Sequence, residues 1–227
     1  MKIIYLLSGP ETKKGFSEEI KSYLKEDFKN KKQITFIASS PDDYERNDLY
    51  VNGNGENIVG MKNHLKEVAN LEKINILDAR IDSKAGKELI LNSEIVYLLG
   101  GNPFTQLDYL KENGYDETLK KYDGLLLGTS AGAMNLAKES YYSKDEDYDK
   151  SFFYKGINLV DITIDPHFNI TNKEQVKEAK YSSKTNKIIG LPNESTIRIT
   201  NNEVTYINKC FVFDNGVLEE INNYDDK

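Results

Sequence analysis

Gly124-Leu125-Leu126-Leu127-Gly128-Thr129-Ser130-Ala131-Gly132-Ala133 is the stretch on which the fold turns. The apolar run Gly124–Leu127 suits a strand covered on both faces. The small residues that follow at once suit a tight turn into a helix starting at Ala131. Gly128–Gly132 is also a G-x-S-x-G. At the carboxyl edge of a parallel sheet, such a turn forces its serine into strained backbone geometry, and the flanking glycines remove the Cβ clashes that would block it. The free N–H groups of the following helix then face any oxyanion formed beside Ser130.

Working outward, the chain repeats one unit. Lys2–Leu7, Gln33–Ala38, Ile74–Leu77 and Ile95–Leu99 read as buried strands. Helical spacing follows them at Phe16–Phe28, about 57–69, Ser83–Asn92 and Phe104–Asn113. Apolar strands alternating with crossover helices predict an α/β fold, a flavodoxin-like and mostly parallel sheet with helices on both faces. Beyond Ala133 the rhythm changes. Ser140–Lys155 (SYYSKDEDYDKSFFYK) is charged, Tyr-rich and without period, which predicts a surface loop or a flap beside the site. A strand at Leu159–Ile164, a helix at Lys173–Ser182 and a strand at Lys187–Leu191 are expected next. The end reads as a C-terminal antiparallel meander over Thr196–Thr200, Val204–Ile207 and Phe211–Phe213, with turns at 200–202 and 214–216. No repeat or linker divides residues 1–227, so a single domain is expected.

A nucleophilic serine needs a base, and the chain has only two histidines. His64 stands among Lys62, Asn63, Lys66 and Glu67 and reads as part of a solvated helix face. His167, in Asp165-Pro166-His167-Phe168-Asn169, directly follows a strand, where the loop lies at the same sheet edge as Ser130. The base needs an acceptor for its Nδ1–H. Glu194 is the first candidate, since Gly190-Leu191-Pro192-Asn193-Glu194-Ser195 also follows a strand. Asn193 is its rival, because an amide oxygen can hold an imidazole. Asp165 is close in sequence but is expected to point elsewhere. Gly101, at the end of the fourth strand, and Ala131, after the nucleophile, are the candidate oxyanion-hole donors. Asn102, beside Gly101, is a candidate substrate-binding residue. Gly53-Asn54-Gly55 lacks dinucleotide-fingerprint spacing and reads as a loop.

Composition narrows the classes. The chain has 37 Asp and Glu against 30 Lys and Arg, a net charge of −7, with Lys interleaved among acids. Nucleic acid is therefore not an expected partner. One cysteine, Cys210, offers neither a disulfide framework nor a thiolate metal site, so a reducing compartment is expected. No apolar run approaches the roughly 18 residues of a membrane span, and the start is too short for a signal segment, which makes the cytoplasm the default. The arginines are Arg46, Arg80 and Arg198 alone. An acidic surface without an apolar patch fits a monomer and a dimer alike.

Four stretches, Leu98–Phe104 (LLGGNPF), Gly128–Ala133 (GTSAGA), Asp165–Asn169 (DPHFN) and Gly190–Pro192 (GLP), resemble in order and spacing the peptidase E family. These are aspartyl dipeptidases related to cyanophycinase and to the class I glutamine amidotransferase-like fold. The resemblance runs from Lys2 to about Thr200. It implies a serine peptidase acting on short peptides, with Ser130 as nucleophile, His167 as general base and Gly101 with Ala131 as oxyanion hole. The chain departs from the family at two places. Asn193 stands where an acid commonly follows Gly-Leu-Pro, and Glu194 comes one later. The segment Phe168–Ser183 lacks the Arg that holds a substrate Asp side chain, leaving Lys173, Lys177 and Lys180, with Lys173 the expected substrate-binding cation.

The expected activity is a serine exopeptidase cutting short peptides, with N-terminal Asp as one specificity, through a Ser-His-Glu or Ser-His-Asn triad. It requires no metal or organic cofactor. An α/β-hydrolase-type esterase is the competing enzyme, but there the acid precedes the histidine in the chain, and it would have to come from Asp145–Asp161. A flavodoxin-like binding protein without activity is the non-enzymatic alternative, separated by whether Ser130 reacts with a serine-directed phosphonate.

Overall fold

The computed structural model describes residues 2–10, 15–55, 59–145, 148–201 and 203–222. Its first half follows the alternating pattern. β1 (Ile3–Leu7) leads to α1 (Glu18–Asp27), β2 (Gln33–Ile37), α2 (Tyr44–Asn52), α3 (Met61–Leu65), β3 (Lys73–Leu77), α4 (Ser83–Leu91), β4 (Ile95–Leu98), α5 (Pro103–Glu112), α6 (Tyr115–Lys121) and β5 (Leu125–Thr129). All five residues of β1 and of β5 are buried, as a strand covered on both faces requires. The helix starts are set by ordinary caps: Ser17 Oγ accepts from the Ile20 N–H, and Asp82 accepts from the Lys84 and Ala85 N–H groups.

Two helices differ from the sequence pattern. α2 and α6 carry few apolar residues, and α2 buries only Asn47 and Val51, so neither has the stripe that periodicity detects. The helix expected at 57–69 is the single turn-and-a-half of α3; residues 57 and 58 lie outside the described residues.

β1 through β5 form the parallel centre of a seven-stranded sheet ordered β11-β10-β1-β5-β4-β2-β3, where β10 (Thr196–Thr200) and β11 (Glu203–Ile207) join antiparallel. The alternation of side chains splits β1 between two cores. Ile4 and Leu6 face one, with Leu98, Leu126 and Met134, while Ile3, Tyr5 and Leu7 face the other, with Phe28, Phe36 and Leu127.

The second half adds a sheet that the sequence pattern does not predict. After α7 (Ala131–Leu136) come β6 (Ala137–Tyr142), β7 (Phe152–Lys155), β8 (Val160–Pro166), α8 (Lys173–Ser182), β9 (Ile188–Leu191), and later β12 (Cys210–Asp214) and β13 (Val217–Ile221). These strands form a six-stranded sheet ordered β13-β12-β9-β8-β6-β7. The segment expected as an irregular loop is thus a hairpin at one edge. Its period is masked by a register shift between Ala137 and Glu139 and by a charged connection. Aromatic pairs hold it: Tyr142 opposes Phe152 with parallel rings 5.3 Å apart, and Tyr141 opposes Phe153 at 5.1 Å.

The C-terminal strands are antiparallel as expected, but they divide between the sheets, β10 with β11 on the first and β12 with β13 on the second. Of the expected turn at 200–202, Asn202 lies outside the described residues. No helix among the described residues is long and apolar enough to cross a membrane.

Candidate active site

Strand ends bring the candidate residues together. Ser130 follows β5 directly, with φ 50° and ψ −113°, a conformation that a non-glycine residue adopts only under local constraint. Its N–H donates to the Leu7 carbonyl at 2.9 Å, tying the turn to β1. The flanking glycines are sterically required. A Cβ on Gly128 would overlap the backbone of Gly132 and Ala133, and one on Gly132 would land on the Leu98 carbonyl. α7, entirely buried, begins at the next residue, with Ala131 1% exposed.

His167 comes from the other sheet, at the end of β8. It too has positive φ, 59°, and its N–H donates to Ser8 Oγ at 2.8 Å, which fixes the loop against the end of β1. The Phe168 N–H donates to the Leu191 carbonyl at 3.1 Å, and the Phe168 ring packs against Phe211 and Phe213. The imidazole is thereby held from both sides of its backbone. Its Nε2 lies 2.8 Å from Ser130 Oγ, and its Nδ1 lies 2.7 Å from Asn193 Oδ1. Since Oδ1 only accepts, Nδ1 carries a proton, and in the neutral ring Nε2 is then the acceptor for the serine hydroxyl.

Glu194 does not make the Nδ1 contact. Its backbone is pinned at φ 66°, its N–H donating to the Gly9 carbonyl at 3.0 Å and its carbonyl accepting from Asn208 Nδ2 at 2.6 Å. That turn leaves the residue directly after Pro192 to face the imidazole. Asn102 is occupied otherwise: its Oδ1 accepts from the Phe104 and Thr105 N–H groups and caps α5. Lys173 opens α8 as an exposed residue and does not line the cavity beside Ser130. His64, expected on a solvated face, is 9% exposed, edge-on to Phe16 and over Gly15; burial holds its pKa below the usual imidazole value.

The cavity holds about 230 Å³ and takes in Gly101, Ser130, Ala131, His167, Asp165 and Gln175, among others. Gly101 has φ 140°, and Ser39 Oγ donates to the Gly100 carbonyl at 2.6 Å, which ties the loop after β4 in place beside Ser130. Asp165 is the residue that sequence reasoning set aside. It is 2% exposed and lines this cavity; Oδ2 accepts from Ser143 Oγ at 2.7 Å and from Gln175 Nε2 at 3.4 Å. Burial pushes its pKa up to about 7 against the pull of those two donors. Ser143 belongs to the segment after β6 and Gln175 to α8, so only the folding of the second sheet gathers them. A carboxylate inside an otherwise apolar strand end was the available signal. No cluster of His, Cys, Asp and Glu able to hold a metal occurs among the described residues.

Comparison with known proteins agrees with this architecture. The model of peptidase family S51 matches residues 4–207. Uncharacterized peptidases of Listeria monocytogenes and Listeria innocua are 30% and 29% identical over 122 residues, 49% of this chain. Those matches span 59% and 58% of the relatives' own length. Among solved structures, a candidate peptidase E of Listeria monocytogenes superposes with a TM-score of 0.64 at 21% identity, over 91% of this chain and 98% of that one. A peptidase from an acI-B1 Actinobacterium gives 0.62 at 15% identity, over 99% and 96%. By the extent of the family match, the chain belongs to peptidase family S51.

Proposed function

We propose that this chain is a serine exopeptidase that hydrolyses short peptides through Ser130, His167 and Asn193. The observation that carries it is the unbroken hydrogen-bond chain from Ser130 Oγ to His167 to Asn193 Oδ1, at 2.8 and 2.7 Å, on a strained strand-to-helix turn. His167 takes the proton of Ser130 as the hydroxyl attacks the scissile carbonyl. The Gly101 and Ala131 N–H groups stabilise the resulting oxyanion. His167 then passes the proton to the leaving amine, and a water repeats the cycle on the acyl-enzyme. Asn193 holds the tautomer and the ring orientation, the positioning part of the role that a carboxylate plays elsewhere.

The cavity beside Ser130 receives the first residue of the peptide. At ~30 Å³ per water it has the room of about seven or eight waters, enough for one residue. Asp145 and Asp165 line it, while Lys144, which also lines it, is paired with Glu174 at 2.6 Å. The Asp145 carboxylate, joined by Asp165 once that group loses its proton above about pH 7, favours the free ammonium of an N-terminal residue over an acidic first side chain. A panel of dipeptides beginning with Asp, Glu, Asn and Ala tests this, with Ser130→Ala and a serine-directed phosphonate as controls. Cleavage that disappears in Ser130→Ala, with phosphonate on Ser130 by mass spectrometry, is the expected result. Unreactive Ser130 at neutral pH would overturn the hydrolase reading, and strict dependence on first-position Asp would overturn the charge argument.

A further inference from the structure

We infer that Arg46 binds the free C-terminal carboxylate of the peptide whose first residue occupies the cavity beside Ser130. The inference rests on the exopeptidase reading and adds to it a reader for the other end of the substrate.

The chain has three arginines, and two are committed to carboxylates. Arg80 donates to both Asp48 and Asp78, and Arg198 donates through Nε and Nη2 to Asp27 at 2.7 and 2.9 Å. Arg46, half-buried on α2, has no carboxylate partner among the described residues, although acids outnumber bases in the chain. Its guanidinium is nonetheless held in place. Nη1 donates to Ser40 Oγ at 2.9 Å, and the Tyr50 ring lies 5.0 Å from the guanidinium carbon. An arginine kept in one position without a counter-ion is prepared for an anion from outside.

Its position relative to the catalytic loop says which anion. Gly101 lines the cavity, but on the side where its Cβ would project stand Ser39 Oγ and, 3.2 Å away, Arg46 Nη2. Arg46 itself is not among the residues lining the cavity. The strand order β1-β5-β4-β2 sets the same sequence along the sheet edge, with Ser130 after β5, Gly101 after β4, and Ser40 with Arg46 after β2. A peptide whose scissile carbonyl is held at Gly101 and whose first residue fills the cavity extends away from the cavity. One residue spans at most about 3.6 Å, so a carboxylate ending the second residue comes within reach of Arg46. The side chain of the first residue, inside the cavity, does not.

The test separates binding from hydrolysis. Ser130→Ala protein is titrated calorimetrically with Asp-, Asn- and Ala-Leu, each as the free acid and as the C-terminal amide. The expected result is at least tenfold tighter binding of the acids. Adding Arg46→Gln should bring the acids down to the affinity of the amides, and Arg46→Lys, which keeps the charge without the planar fork, should fall between. In the active enzyme, Arg46→Gln should raise KM for the free dipeptide about tenfold with kcat little changed. Equal binding of acids and amides, equal weakening of both by Arg46→Gln, or no binding at all would overturn the assignment. So would an Arg46-dependent preference for Asp-Leu amide over Asn-Leu amide, which would make the first side chain the ligand. A wild-type protein that binds these dipeptides but does not cleave them would refute the exopeptidase reading while the binding comparison still judges Arg46.

Discussion

Asn193 and Glu194 are adjacent, and which of them meets His167 is decided by one backbone turn. With the Glu194 N–H and carbonyl pinned at φ 66°, the amide of Asn193 reaches the imidazole. Asn193→Ala is expected to lower kcat on the order of 10²-fold, because an unheld imidazole loses the tautomer and aim of a general base. Glu194→Gln should stay within about twofold, both measured by steady-state kinetics on one dipeptide; the reverse ranking would return the role to Glu194. Ser130 and His167 were legible in the sequence because each directly follows a strand, and strand ends in a parallel sheet share one edge. The choice between Asn193 and Glu194 was not legible, since nothing local marks a glutamate for positive φ. Asp165 left only a local hint, a carboxylate at an apolar strand end, because its partners Ser143 and Gln175 come from distant segments.

At the scale of elements, the turn into α7 depends on glycines packed against backbone. A methyl at Gly132 would collide with the Leu98 carbonyl and side chain at the end of β4, neither of which can retreat without disturbing the sheet. Gly132→Ala is therefore expected to cost about 1–3 kcal/mol, read as a lowered urea midpoint with an unchanged slope; an unchanged midpoint would show that α7 can slide. The first five βα units were legible because continuous apolar strands and crossover helices leave a strong pattern. The β6–β7 hairpin was not. Its order comes from cross-strand ring pairs such as Tyr142–Phe152, and the register shift beside Ala137 blurs the period of two. α2, which carries Arg46, was missed for a related reason: it buries too little to show a stripe.

For the whole molecule, the hydrogen-bonded pair of Ser130 and His167 is divided between the sheets, Ser130 on the first and His167 on the second, joined through Ser8 and the shared core. Buried Asp165, at the end of β8 in the second sheet, makes global stability depend on pH. Its folded pKa, raised from the ordinary 3.8 to about 7, means the folded protein holds a proton that the unfolded chain releases. The associated stability is fully present below about 3.8 and is lost as pH rises through 7, at up to about 1.4 kcal/mol per unit. Asp165→Asn should remove that dependence, so its melting temperature relative to wild type should be higher at pH 8 than at pH 5. Equal differences at the two pH values would mean that the carboxyl is solvated.

The amide at Asn193 has a last consequence, which concerns salt. Ser130 and Asn193 carry no formal charge, so added electrolyte has little to screen at either end of that chain of hydrogen bonds. Arg46 and the acids of the cavity do face ions. Ionic strength should therefore act on how firmly a peptide is held and leave the rate of the bound complex nearly untouched.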